Sequence, residues 1–206
     1  VNVLVIDSAG DRTAEEVFAH VNRLVVPEHI GYARVAGAGE LVCPSILFDS
    51  GEGVFPTATP EGVLPLVMLT CDHFDWDAEL MILTDDWTAW GGHVDRLLDH
   101  QQGDDLDAFY SFATECLVAP GGPSLAPLID ISGVAVPSLV WFREASRFYS
   151  LTQKAVRKDA RVGGQFTFGS MVRELYLSHA NVAYQCADAR PLRALTRVMD
   201  PILVLD

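Results

Sequence analysis

The densest gathering of side chains able to do chemistry is Cys71-Asp72-His73-Phe74-Asp75-Trp76-Asp77, in which three carboxylates and an imidazole fall within seven residues. Carboxylate and imidazole are ligands for a divalent transition metal, and the same groups move protons in acid–base catalysis. Asp85, Asp86 and His93 follow closely enough to join them, and Asp99-His100 lies farther along. Such a protein would be a small metal-dependent hydrolase, with Asp72, His73, Asp75 and His93 converging on one pocket or ion. The spacing matches neither HExxH nor a paired-cysteine unit, so it fixes no ligand set. A solvated or helix-capping loop explains the same residues.

Other reactive residues have weaker settings. Ser8, in Asp7-Ser8-Ala9-Gly10, follows an apolar run, where α/β proteins often place functional loops, but it lacks the GxSxG elbow of a nucleophilic serine. A turn leading into a helix accounts for it. Gly37-Ala38-Gly39, Gly51-Glu52-Gly53 and Gly163-Gly164 carry neither GxxxxGK[ST] nor GxGxxG, and they read as turns. Cys43, Cys71, Cys116 and Cys186 form no CxxC unit, which favours buried thiols over a disulfide scaffold or zinc knuckle. His20 and His179 read as helix-face residues. No catalytic residue and no cofactor is assigned, a metal is left open, and whether the protein is an enzyme is undecided.

The elements that must position these groups begin with a buried strand over 2–6. A helix follows, opened by Thr13 and Glu16 as a capping box and lined by Ala14, Val17, Phe18, Val21, Leu24 and Val25. Tyr32–Ala36, Leu41–Phe48, Val63–Thr70 and Leu80–Leu83 read as strands or extended segments between Gly- and Pro-rich turns. Trp87, Trp90, Val94, Leu97 and Leu98 recur at helix spacing, with Gly91-Gly92 able to break or bend that helix. Leu106, Phe109, Tyr110, Ala113, Cys116 and Leu117 predict a second helix after Asp104 or Asp105.

Beyond the Pro120–Pro123 break, one or two short strands are expected in 125–136 and a helix from Ser138 to about Val156. Another helix is expected from Ser170 through Val182. A last helix begins near Pro191 and is followed by a strand-like run to Asp206. This order predicts an α+β fold, mixed helices around a short-stranded sheet, formed by residues 1–206 as a single domain or as a segment of a larger one. The apolar ends at Val1 and Asp206 favour a piece of a longer or processed polypeptide.

Half of the chain is hydrophobic and 20% is charged, enough for a substantial core. The net charge of −14 is unevenly distributed: residues 1–140 hold 22 acidic side chains and four basic ones, whereas 141–200 hold ten basic and five acidic. The chain thus divides into an acidic, strand-rich part, 1–137, and a basic, helix-rich part, 138–206. Complementary faces of this kind can join copies of one chain, and Trp76, Trp87, Trp90 and Trp141 can fill a core or anchor an interface.

The leading expectation is a structural or assembly protein, such as a viral capsid or shell subunit fragment. Its partners would be other copies or other chains of the same assembly, in a virion or the cytoplasm. The alternatives are the metal-dependent hydrolase and a binding module that presents the basic stretch 143–161 to an acidic protein or nucleic acid. No apolar run is long enough to cross a membrane.

Overall fold

A computed structural model describes residues 1–7, 12–34, 45–56, 61–84, 87–101, 105–113 and 136–186. β1 (Asn2–Asp7) is buried throughout and leads towards α1 (Ala14–Leu24). The capping box forms as expected: Thr13 Oγ1 accepts the Glu16 amide at 3.3 Å, while the Glu16 carboxylate accepts the Thr13 amide at 3.0 Å. β2 (His29–Arg34), β3 (Ser45–Phe48) and β4 (Gly53–Val54) follow, then α2 (Val63–Met68), β5 (Leu80–Thr84) and α3 (Trp90–Gln101). The remaining described elements are β6 (Ala108–Phe112), β7 (Leu139–Phe142), α4 (Ala145–Arg157), α5 (Phe168–Leu177) and β8 (Val182–Cys186).

The strands form one open sheet in the order β4-β3-β2-β1-β5-β7-β6-β8. β1 runs parallel to β2 and β5, and β6 runs parallel to β8; β3 and β7 oppose their neighbours. The carboxyl ends of β1, β2, β4, β5, β6 and β8 therefore share one edge. Alternation along the strands sends side chains into two apolar layers. Val3, Val5, Tyr32, Met81, Phe109 and Trp141 meet α1 and α3, whereas Leu4, Ile6, Ile82, Tyr110, Val140 and Phe142 meet α2, α4 and α5. This is the expected α+β fold, and strands from both the acidic and the basic part share its sheet.

Several elements depart from their expected form. Val63–Met68 is helical rather than extended. Pro65 lies in the first turn, where a missing amide proton costs little, and six residues are too few to display a helical period. The expected helix after Asp105 is instead β6, buried on both faces; such a strand shows no polar alternation and resembles a core helix in sequence. Ser138 precedes β7 rather than capping a helix, which starts at Ala145. Val182 begins β8 because α5 ends before His179, whose φ of 54° is left-handed. Gly91 and Gly92 lie inside the first turn of α3 without breaking it. The one or two strands expected in 125–136, except for Val136, and the last helix and the final strand-like run fall outside the described residues.

Candidate functional site

The strand order reverses at β1. From β1 the chain passes through α1 to β2 on one side, and it later returns as β5 on the other. Such a reversal opens a crevice beyond the carboxyl ends of the two diverging strands. Ile6 pairs with Thr84 across β1 and β5, so Asp7, one residue on, stands beside Thr84 at the carboxyl ends of the two strands. Both are almost wholly buried.

Neighbouring elements clamp both strand ends. The Tyr32 hydroxyl, rising from β2, shares its proton between Asp7 Oδ2 at 2.8 Å and the Arg12 carbonyl at 3.0 Å. Burial, then the bond to Asp7 and its negative charge, push the Tyr32 hydroxyl pKa upward, so it remains a donor near neutrality. At β5, Thr84 Oγ1 donates to the Pro137 carbonyl and Trp90 Nε1 donates to the Thr84 carbonyl, each at 2.7 Å. The starts of α1 and α3 are thereby tied to adjacent central strands.

Beside this edge, Arg12, Glu16, Ala19, Arg23 and Trp87 line an open groove of about 500 Å³. The Arg12 guanidinium lies 4.2 Å from the centre of the Trp87 ring, and the His20 ring stacks on Trp87 at 4.3 Å and 16°. Arg23 Nη2 faces His20 Nδ1 at 3.3 Å. Burial first, then the charges of Arg23 and Arg12, lower the His20 pKa and favour its neutral form.

His93 reaches a different partner. Its Nδ1 lies 2.6 Å from Ser111 Oγ and 3.2 Å from Arg96 Nη1. Arginine only donates, so Nδ1 is the unprotonated nitrogen. A serine–histidine pair at this distance is how a nucleophile is activated. Here, however, Ser111 is 0% and His93 1% exposed, enclosed between β6 and α3, where no substrate reaches them.

The Asp72–Asp77 loop lies at the opposite, amino edge of the sheet. Asn2 Nδ2 donates to the Asp75 carbonyl at 2.7 Å, and the Asp77 amide donates to Asp75 Oδ1 at 3.0 Å. Trp76 and Ala78 carbonyls accept the Ser146 and Ala145 amides, each at 2.9 Å, and so cap α4. His73 stacks on Phe48 at 4.2 Å with Nδ1 3.3 Å from Glu52, while Asp72 is exposed. The length of β5 separates this loop from His93. The expected convergence is absent, and among the described residues no three His, Cys, Asp or Glu side chains gather where they could hold a metal ion.

The basic stretch largely meets acids of its own chain. Arg143 pairs with Asp105; Arg147 reaches Asp107 at 2.5 Å. Lys158 meets the buried Glu174 at 2.8 Å, and Arg161 meets Glu61 and Asp159, each at 2.6 Å. Lys154 and Arg157 are exposed. Among the tryptophans, Trp90 and Trp141 are core residues, Trp87 is half-buried and Trp76 is 47% exposed. Cys71 is a free, half-buried thiol whose pKa burial raises, helped by neighbouring Asp72.

Tyr32 and Arg12 belong to no sequence motif, and the pairing of β1 with β2 brings them together; Arg23 stands farther along, in the last turn of α1. Asp7 was visible as the polar end of a buried run. No protein-family model matches the chain, and no curated protein is detectably similar to it.

Proposed function

We propose that the chain binds a phosphate-bearing small molecule of the nucleoside diphosphate class at the carboxyl edge, through a divalent cation, and acts on it as a metal-dependent enzyme. The observation that carries this proposal is the reversal of strand order at β1. Open sheets with parallel central strands bind mononucleotides at such points, beside strand–helix–strand units like β1–α1–β2. The sequence runs on from Thr84 into Asp85 and Asp86, which lie outside the described residues, while β1 ends on Asp7.

Adjacent carboxylates suit an ion of the magnesium class. Such an ion uses one or two carboxylates and completes its shell with water and substrate phosphate. Bound there, it would neutralise the diphosphate and stabilise it as a leaving group for hydrolysis or transfer. Relative to the sequence-based hydrolase, the centre moves from Asp72–Asp77 to the opposite edge and keeps Asp85 and Asp86. The enclosed His93 drops out.

Titration calorimetry of the full chain with Mn²⁺ and a panel of nucleoside diphosphates provides the test. Binding is expected to require the metal, and Asp85→Asn with Asp86→Asn should weaken it about tenfold or more. Unchanged affinity in the double variant would sink the proposal, as would a failure of every diphosphate to bind.

An assembly role, including a capsid or shell fragment in a virion or the cytoplasm, is a second proposal. Its support is the exposed apolar side chains Phe55 and Leu47 near the β3–β4 edge, together with exposed Trp76. Contact with an acidic protein or nucleic acid through 143–161 would fall to Lys154 and Arg157, since Arg143, Arg147, Lys158 and Arg161 make internal ion pairs. No helix among the described residues is long and apolar enough to cross a membrane.

A further inference from the structure

Residues 1–140 contain only Arg12, Arg23, Arg34 and Arg96 as cations against 22 acids. Two of those four line one groove between α1 and Trp87. In so acidic a stretch, two guanidinium groups line one concavity, together with the Glu16 carboxylate. The groove is also braced. One wall hangs on β1 through Tyr32 and the Arg12 carbonyl, and the other hangs on β5 through Trp90 and the Thr84 carbonyl. Its volume of about 500 Å³ lies within the range of small-molecule sites.

We infer that this groove is an anion site, separate from the crevice, which takes the phosphate group of a small phosphate ester between Arg12 and Arg23. Phosphate, with close to two charges near neutrality and three outward oxygens, suits two forked guanidinium groups better than a single carboxylate does. Glu16 also lines the groove, but its carboxylate is held by the Thr13 amide and hydroxyl at 3.0 and 3.1 Å. Those bonds keep its pKa low and draw the carboxylate back to the helix start. His20 supports Trp87 from within the same cluster. Arg12 stacks on the indole and has further interactions, so it is a positioned wall of the site; Arg23 is the exposed arm.

The probe is inorganic phosphate, titrated into the full chain in the presence of a metal chelator and followed by ³¹P NMR line width. The chelator silences a metal-dependent crevice, so this result and the diphosphate titration can fail independently. Saturable millimolar binding is expected. Arg23→Gln, which removes an exposed side chain whose internal contact is the one with His20, should weaken it about tenfold, the loss of one charge-assisted bond. Asp85→Asn with Asp86→Asn should not weaken it. Absence of saturation, or equal affinity in Arg23→Gln as judged beside an unaltered circular dichroism spectrum, would overturn the inference.

Discussion

At the scale of single residues, polar side chains are placed by what they must satisfy rather than by motif. Tyr32 carries one proton to two acceptors, and in doing so fixes both the last residue of β1 and the approach to α1. His20 illustrates the electrostatic side. Its pKa is lowered from 6.5 by burial and then by Arg23 and Arg12, so the native state binds fewer protons than the unfolded chain. Its contribution is therefore intact above 6.5 and is lost as pH falls through and below that value. Thermal unfolding measured from pH 7 down to about 5 should show a shallower acid-side decline in His20→Asn than in the parent. Identical slopes would show that His20 is not the titrating group.

At the scale of elements, closure of the fold rests on joints invisible to periodicity. Gly62 opens α2 with φ of 117°, and a Cβ there would lie 2.5 Å from the Phe166 carbonyl oxygen. The same carbonyl accepts the Leu64 amide at 3.1 Å, so helix start and loop are locked together. Gly62→Ala should cost about 2–4 kcal/mol, read as a lowered urea midpoint with an unchanged slope. Gly51→Ala, at φ of 87° but with nothing within 4 Å, should cost only about 1 kcal/mol. Equal effects would contradict the clash.

The same joints explain what could be read in advance. β1, the capping box of α1 and β5 were legible because local chemistry alone specifies them, and α5 was expected but starts two residues earlier than Ser170, capped by Thr167. β6, β7 and α2 were not, since β6 and β7 are buried on both faces and α2 starts on a glycine held by a distant carbonyl. The site suffered more. Asp72–Asp77 drew attention through density of charge, yet that density serves to cap α4 and tie down Asn2. Asp7, Tyr32 and Arg12 meet only after β1 pairs with β2.

At the scale of the whole molecule, the acidic part and the basic part meet inside the chain at three ion pairs among the described residues. Asp105, Asp107 and Glu61 of the first part meet Arg143, Arg147 and Arg161 of the second, across the same sheet that both parts build. Charge asymmetry along a sequence thus need not imply a partner. What remains distinctive is the orientation of the sheet: six of the described strands, β1, β2, β4, β5, β6 and β8, present carboxyl ends to one edge, and the strand order reverses between β1 and β5. The central claim is that this edge, and not the amino edge carrying Asp72–Asp77, is the functional one. Amide NMR shifts of the full chain on addition of a Mg²⁺–nucleoside diphosphate test it most directly. Changes are predicted at Asp7, Arg12, Tyr32 and Thr84; changes confined to Asp72–Asp77, or none at saturating nucleotide, would contradict the claim.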